Sequence, residues 1–327
     1  EKKIKKKKLT LTVSSKKTYT FFLILTLAAR LDAEGKVSEN DTVEWNQFRG
    51  PNGSGANHES RPPQKIGNEN LAWKIKVPVG FSSPTIWKSK IFLTGLNDGR
   101  LTTLAFDKES GRLLWNRHAP KVRLEKVHQS NGHATPTPFA DPERVYAYFG
   151  SFGLLCYDHE GKEIWRKPIP TPKSMYGSST SPVGHGDLLL MVLDNDANLP
   201  NSRLSQSKIL ALRKKDGEVA WETHRPFHRS GWSTPIIWNH GAAKELVVLG
   251  NGRLCGYDLK SGQEKWHLTG FSRETISMPL QGNGIVFASA SKQGGAPDAH
   301  PDPKPFWDAV ISFDSNGDGK LGRKEMT

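Results

Sequence analysis

Cysteine is nearly absent: two residues, Cys156 and Cys255, in a chain of 327. They cannot build a disulfide framework, so the fold rests on packing and backbone pairing. Long apolar runs are scarce too. The one at 21–29 is too short to cross a bilayer comfortably, and nothing later in the chain is a transmembrane candidate. A nucleophile elbow, a phosphate-binding loop, a recoverable Ser-His-Asp order and a pair of catalytic carboxylates are all missing.

Positive charge is in excess, but the excess is local. The net charge is +13, yet residues 1–17 hold eight lysines against one glutamate, which leaves +6 for the rest. This argues against nucleic-acid binding. The layout is that of a secretory signal: lysines from Lys2 to Lys8 and at 16 and 17, an apolar stretch Phe21-Phe22-Leu23-Ile24-Leu25-Thr26-Leu27-Ala28-Ala29, and small residues at Ala28, Ala29 and Ala33 for cleavage. No cysteine follows the stretch, which argues against a lipid anchor. The expectation is a signal peptide over 1–33 and export to the periplasm or beyond. The alternative is an anchor that is never cleaved. The first residue is Glu1 and the chain stops soon after Glu325; the expectation is that this is a piece of a longer protein.

Glycine (31), proline (21) and tryptophan (10) are plentiful, as in short strands joined by turns. Four segments share an Asp, a short polar turn, a Gly and a Trp: Asp107…Gly111…Trp115, Asp158…Gly161…Trp165, Asp216-Gly217…Trp221 and Asp258…Gly262…Trp266. Trp73 looks like the end of an earlier unit, and successive Trp lie 42, 50, 56 and 45 residues apart. Hydroxyl-Pro pairs run in phase: Ser83-Pro84, Thr135-Pro136, Ser181-Pro182 and Thr234-Pro235, with Met278-Pro279 a degenerate fifth. Apolar runs between the markers, such as Leu188 to Leu193, read as strands.

A unit of this size holds about four short strands, one propeller blade. Asp bonds its own following backbone and Gly takes the positive φ of a hairpin turn. The Trp ring is placed to bury against the neighbouring blade while its N–H finds a backbone acceptor. One blade cannot bury both faces alone, so blades stack. A β-sandwich or open solenoid would not keep the two markers in phase. The fold class is all-β: a β-propeller of four-stranded blades, incomplete over this sequence and expected to close with seven or eight.

The segment Ala105-Phe106-Asp107-Lys108-Glu109-Ser110-Gly111-Arg112-Leu113-Leu114-Trp115 resembles the tryptophan-docking motif of PQQ-like (quinoprotein-like) propeller repeats. The likeness recurs over roughly 71–290. Trp45-Asn46-Gln47-Phe48-Arg49-Gly50-Pro51 resembles the N-terminal arm of such proteins from planctomycete-type bacteria. The resemblance implies a propeller fold and, from its non-enzymatic relatives such as the outer-membrane assembly factor BamB, a scaffold for a protein or cell-envelope partner. Its enzymatic branch implies a PQQ-dependent dehydrogenase, with a vicinal Cys-Cys ring, an Asp base and a calcium held by Glu and Asn. This sequence has no vicinal cysteines. Cys156 and Cys255 read as small core residues, and no Asp base is assignable.

The sharpest local motif is Asp314-Ser315-Asn316-Gly317-Asp318-Gly319-Lys320-Leu321-Gly322-Arg323-Lys324-Glu325. It fits the twelve-residue EF-hand loop: side-chain oxygens from Asp314, Asn316 and Asp318, the carbonyl of Lys320, a water at Gly322 and bidentate Glu325, with Gly319 at the sharp turn. Residues 305–313 are expected to form the entering helix, with Phe306, Val310 and Phe313 on one face. The alternative is a polar loop that matches by chance.

Other constellations are weaker. Asp194-Asn195-Asp196-Ala197-Asn198 imitates half a calcium loop, but Leu199 and Ser205 stand where Gly and Glu are needed. His128 with His133, and His224 with His228, are rim residues unless a further ligand joins them. Ser83, Thr135, Ser181, Trp232 and Thr234 begin inner strands and are read either as a ring for a polar ligand or as turn residues satisfying backbone groups. The domains expected are a signal peptide (1–33), an N-terminal arm (34–70), blades (71–303) and a truncated EF-hand (304–327). The function expected is an exported, non-catalytic, monomeric scaffold carrying Ca2+; the rival is a PQQ-dependent oxidoreductase.

Overall fold

The computed structural model describes residues 44–57, 60–195, 206–272, 275–290, 303–322 and 325. The expected signal segment lies outside them. The first sheet holds β1 (Thr85–Trp87), β2 (Lys90–Asn97), β3 (Arg100–Asp107) and β4 (Leu113–His118). The second holds β5 (Phe139–Ala140), β6 (Arg144–Phe149), β7 (Gly153–Asp158) and β8 (Glu163–Pro168). The third holds β9 (Val183–His185), β10 (Leu188–Leu193), β11 (Lys208–Arg213) and β12 (Val219–His224). The fourth holds β13 (Ile236–His240), β14 (Ala243–Gly250), β15 (Arg253–Asp258) and β16 (Glu264–Thr269). Each is an antiparallel meander in sequence order, and β17 (Leu280–Gly282) and β18 (Ile285–Phe287) form a two-stranded fifth. A helix, α1 (Pro303–Val310), precedes the acidic loop.

Packing follows the two-residue period of a strand. Along β10, Leu189, Met191 and Leu193 join a cluster with Tyr146, Leu154 and Trp165 of the second sheet. Leu190 and Val192 join one with Leu246, Val248 and Tyr257 of the fourth. Middle strands are therefore apolar on both faces, which is why Leu188 to Leu193 shows no polar alternation.

The Trp markers dock as the repeat implies. The indole N–H of Trp73 donates to Lys108 O (2.9 Å), Trp115 to His159 O (2.9 Å), Trp165 to Lys214 O (2.8 Å) and Trp221 to Leu259 O (3.0 Å). Each ring lies on the turn glycine of the following sheet: a Cβ added at Gly111, Gly161, Gly217 or Gly262 would come within 2.3–2.7 Å of a ring atom of Trp73, Trp115, Trp165 or Trp221. These glycines serve twice, once for a positive φ and once for closeness. Asp107 anchors its turn by accepting from Ser110 N (2.8 Å) and Ser110 Oγ (2.6 Å); these bonds hold its carboxyl below the usual range. Trp266 departs from the pattern. It is half-buried, and its N–H donates to Glu245 within its own sheet (2.6 Å).

A register irregularity recurs between the third and fourth strands, beside the residue that faces the Trp: Ala105, Cys156, Ala211 and Gly256 face Trp115, Trp165, Trp221 and Trp266. The position admits only small side chains, which accounts for Cys156. Cys255 sits one residue out of that register, opposite His267, so the two cysteines share a strand type but point to opposite faces.

The arm does more than precede the sheets. Trp45 O accepts from Ile86 N of β1 (2.7 Å) and Asn46 O from Ala140 N of β5 (2.8 Å). Asn52 pairs with Ile237 of β13 in both directions, Oδ1 accepting at 2.8 Å and Nδ2 donating at 2.7 Å. A Cβ on Gly53 would collide with Met278. The segment thus links inner strands of the first, second and fourth sheets. Asn52→Ala leaves the N–H and C=O of Ile237 without these partners, and the expected loss is roughly 1–3 kcal/mol in urea unfolding. A loss near zero removes the arm from the stability of the sheets.

Candidate functional site

In an antiparallel meander, connections from one sheet to the next leave on the same side as the loops between second and third strands. Residues 119–138, 169–182 and 225–235 therefore share one face with 98–99, 150–152, 194–195 and 251–252. The Asp-Gly turns lie on the other. Contacts across the loop face bear this out. Glu125 N donates to Ser151 Oγ (2.9 Å), Lys173 N to Asn195 Oδ1 (3.0 Å) and Asn251 Nδ2 to Phe227 O (3.0 Å).

The hydroxyl-Pro residues are internal to this assembly. Ser83 N donates to Thr137 Oγ1 (2.9 Å), Thr137 N to Ser181 Oγ (2.9 Å) and Ser181 N to Thr234 Oγ1 (3.2 Å). The ladder corrects the sequence phase in the second sheet, where the equivalent residue is Thr137 and not Thr135. Thr135 instead donates to Asn131 Oδ1 (2.5 Å). The hydroxyls of Thr137, Ser181 and Thr234 thus satisfy backbone groups of the neighbouring sheet, as turn residues would.

At the centre of the face lies a buried ion pair. Arg225 Nε donates to Asp194 Oδ1 at 3.0 Å, with side chains 1% and 3% exposed. Arg225 Nη1 donates to the Tyr257 hydroxyl (2.7 Å), and Nη2 has no partner. Burial raises the Asp194 carboxyl to about 6 against the pull of Arg225, so it is ionised at neutral pH. His228, also buried, is pushed well below its ordinary value by desolvation, with Arg225 and Arg253 adding to it. It is a neutral neighbour, 3.6 Å from Cys255 Sγ. A small open cleft lies beside the pair, among Tyr148, Ser178, Thr180, Asp194, Ser230 and Gly231. The hydroxyls of Tyr148 and Ser230 have no protein partner, a setting suited to water or a small neutral polar group.

Glu125 is the second inward carboxylate. Burial raises it to about 7, opposed by hydrogen bonds from Ser178. A raised carboxyl binds its proton more tightly when folded, so stability falls as pH climbs from about 4.5 to 7. Glu125→Gln is expected to flatten that slope and to gain roughly 1–3 kcal/mol at pH 8. Urea unfolding at pH 5 and pH 8 measures it; equal slopes in both proteins would show that Glu125 ionises freely.

The histidines do not converge. His128 bonds Ser130 Oγ (2.7 Å) and stacks near Tyr176, His224 is exposed beside Glu222, and His228 is buried. Among the described residues no three His, Cys, Asp or Glu side chains gather as metal ligands. Asp194 and Asn195 are committed to Arg225 and Lys173, and 196–205 lie outside the described residues. Sequence reasoning missed Arg225, Glu125 and the arm's Asn52, because their partners lie far away in the chain.

The side chains of the acidic loop accept from its own backbone amides. Asp314 Oδ1 accepts from Gly317 N (2.7 Å) and Oδ2 from Gly319 N (2.8 Å). Asn316 Oδ1 accepts from Asp318 N (2.9 Å), Asp318 Oδ1 from Lys320 N (2.8 Å) and Glu325 Oε1 from Ser315 N (3.2 Å). Gly317 and Gly319 both take positive φ. The helix before it starts at Pro303, and Ile311–Phe313 is a 3-10 turn. Contrary to the expected apolar face, Phe313 is exposed and Val310 only half-buried; the side chain of Phe306 lies outside those described.

A family profile described as outer membrane protein assembly factor BamB matches residues 68–192 and 104–317. The chain belongs to this family. Similar solved structures include BamB from Moraxella catarrhalis, at 15% identity over 67% of this chain and 57% of that one, TM-score 0.45. A europium-containing methanol dehydrogenase matches at 16% over 62% and 46%, TM-score 0.47. The quinohemoprotein alcohol dehydrogenase from Comamonas testosteroni matches at 13% over 75% and 45%, TM-score 0.48. The chain spans about half the length of these structures, and likenesses this distant carry no functional argument. A comparison with curated proteins gives no match.

The residues present do not fit the PQQ seat that the enzymatic branch implies. Cys156 and Cys255 are fully buried in separate sheets, their thiols pushed up by burial. Asp194 is held by Arg225 and is not free to act as a base.

Proposed function

We propose that this chain is an exported, non-catalytic propeller that presents its loop face to a protein or cell-envelope partner. The observation that carries the reading is how the inward polar groups of that face are used. The side chains of Glu125, Asn195, Asp194 and Arg225 bind neighbouring loops and strands, so they position a surface. Rigid rings of sheets with function in their loops need no catalytic set. Purified protein supplied with PQQ, calcium and a redox dye should not oxidise alcohols or aldoses. Quinone-dependent dye reduction would overturn the reading in favour of an oxidoreductase.

Calcium belongs to the same proposal. Asp314, Asn316, Asp318 and Glu325 would supply side-chain oxygens and Lys320 its carbonyl, once the carboxylates exchange backbone amides for the ion. Trp307 lies in the helix just before the loop and is exposed, so terbium in the calcium site should show tryptophan-sensitised emission. We expect emission that calcium displaces and that Glu325→Gln lowers at least tenfold. Emission equal in the variant would mean that the loop is only a polar turn.

A further inference from the structure

The strap from β4 to β5 alternates. Val122 and Leu124 pack down on the core between the first two sheets, which leaves Lys121, Arg123 and Lys126 exposed. Its one carboxylate, Glu125, is turned inward and accepts from Ser178 Oγ. Beside it runs the 169–182 loop, joined by Asn131 Nδ2 to Tyr176 O (2.8 Å) and carrying exposed Lys173. Among the described loop residues, the other carboxylates are Asp194, neutralised by Arg225, and Asp98, exposed at the turn from β2 to β3. Along the strap and the 169–182 loop, cations therefore face outward and the one carboxylate is turned inward.

An apolar arc follows the same path. Phe81 lies against Gly132 and is 44% exposed, and Met175 is 50% exposed. His128, Tyr176 and Trp232 form a contact chain with ring centroids 4.8 and 5.0 Å apart, and Trp232 Nε1 is a buried donor without a partner. These rings meet at steep angles, 60° and 85°, so their faces are partly spent on one another. That suits side chains inserted between them better than a flat sugar ring laid on top.

We infer that the loop face docks an acidic protein segment that carries apolar side chains, its carboxylates over Lys121, Arg123, Lys126 and Lys173 and its apolar groups against Phe81, Met175 and Trp232. This rests on the scaffold reading and names the class of partner. Cations fixed by packing beneath them attract such a segment at long range and fix its register.

Fluorescence anisotropy with a labelled twelve-residue peptide of mixed Glu and Phe tests it, beside matched Lys/Phe and Glu/Ser peptides. The expected order is Glu/Phe tightest, with at least a tenfold loss for either control and steep weakening with salt. The triple variant Lys121→Glu, Arg123→Glu, Lys126→Glu should lose at least tenfold while keeping its circular dichroism and melting temperature. Trp232→Ala should lose affinity without changing the salt slope. Equal binding of all three peptides, no binding of the Glu/Phe peptide, or an unaffected triple variant overturns the inference. So does tighter binding of polygalacturonate than of the peptide, which would move the site to saccharides. The dye-reduction assay on the same sample separates the two failures: without quinone activity, a negative peptide result sinks this inference alone.

Discussion

Replacing Arg225 by methionine while Asp194 stays in place is expected to lower the unfolding free energy by about 3–5 kcal/mol. The two groups are 1% and 3% exposed and 3.0 Å apart, so the single change strands a carboxylate away from water. Asp194→Asn should cost a comparable amount: the amide still accepts from Arg225 Nε, but the guanidinium, which cannot shed its charge, is left buried without a counter-ion. The double change Arg225→Met with Asp194→Leu should recover much of the loss, since an apolar pair needs no desolvation of charge. Urea midpoints at constant slope measure all three. A cost under about 1 kcal/mol for Arg225→Met would place the pair in contact with solvent. Because Asp194 is held at about 6, above its unfolded value, stability from this carboxyl declines as pH rises through that interval. The pair therefore resists acid better than an ordinary salt bridge.

The second large effect concerns the contacts between sheets. Trp165→Ala removes an indole that is 9% exposed and the 2.8 Å bond to Lys214 O; the expected cost is about 3–5 kcal/mol. Gly217→Ala should cost on the order of 2–4 kcal/mol. Its φ is +73° and its new Cβ would lie 2.7 Å from the same ring. The two losses should not add, because both undo one contact. Additive losses would mean that ring and glycine act separately. Trp266→Ala, by contrast, should cost markedly less, since that ring is only half-buried and bonds within its own sheet.

The repeat was legible because its parts are local. Asp, Gly and Trp of one unit fall within about ten residues, and the turn demands their chemistry. The strand order followed from the same spacing. What escaped were pairings between distant segments. Nothing near Asn52 announces Ile237, and Arg225 sits in a loop with no marker of its own. The phase error at Thr135 has a simple cause: the sequence offers two hydroxyl-Pro pairs in a row, Thr135-Pro136 and Thr137-Pro138. Only the register of β5 against β6, Phe139 opposite Tyr146, tells which one opens the strand.

The arm sets an order of events during synthesis. Asn52 and Ile237 are 185 residues apart, so at about 5–20 residues per second the docking strand leaves the ribosome roughly 10–40 s after the arm. The earliest-made of the described segments is thus among the last to find its seat, after the sheets it crosses have formed. A loop closed this late adds little to the first collapse, and it locks the first and fourth sheets together once both exist.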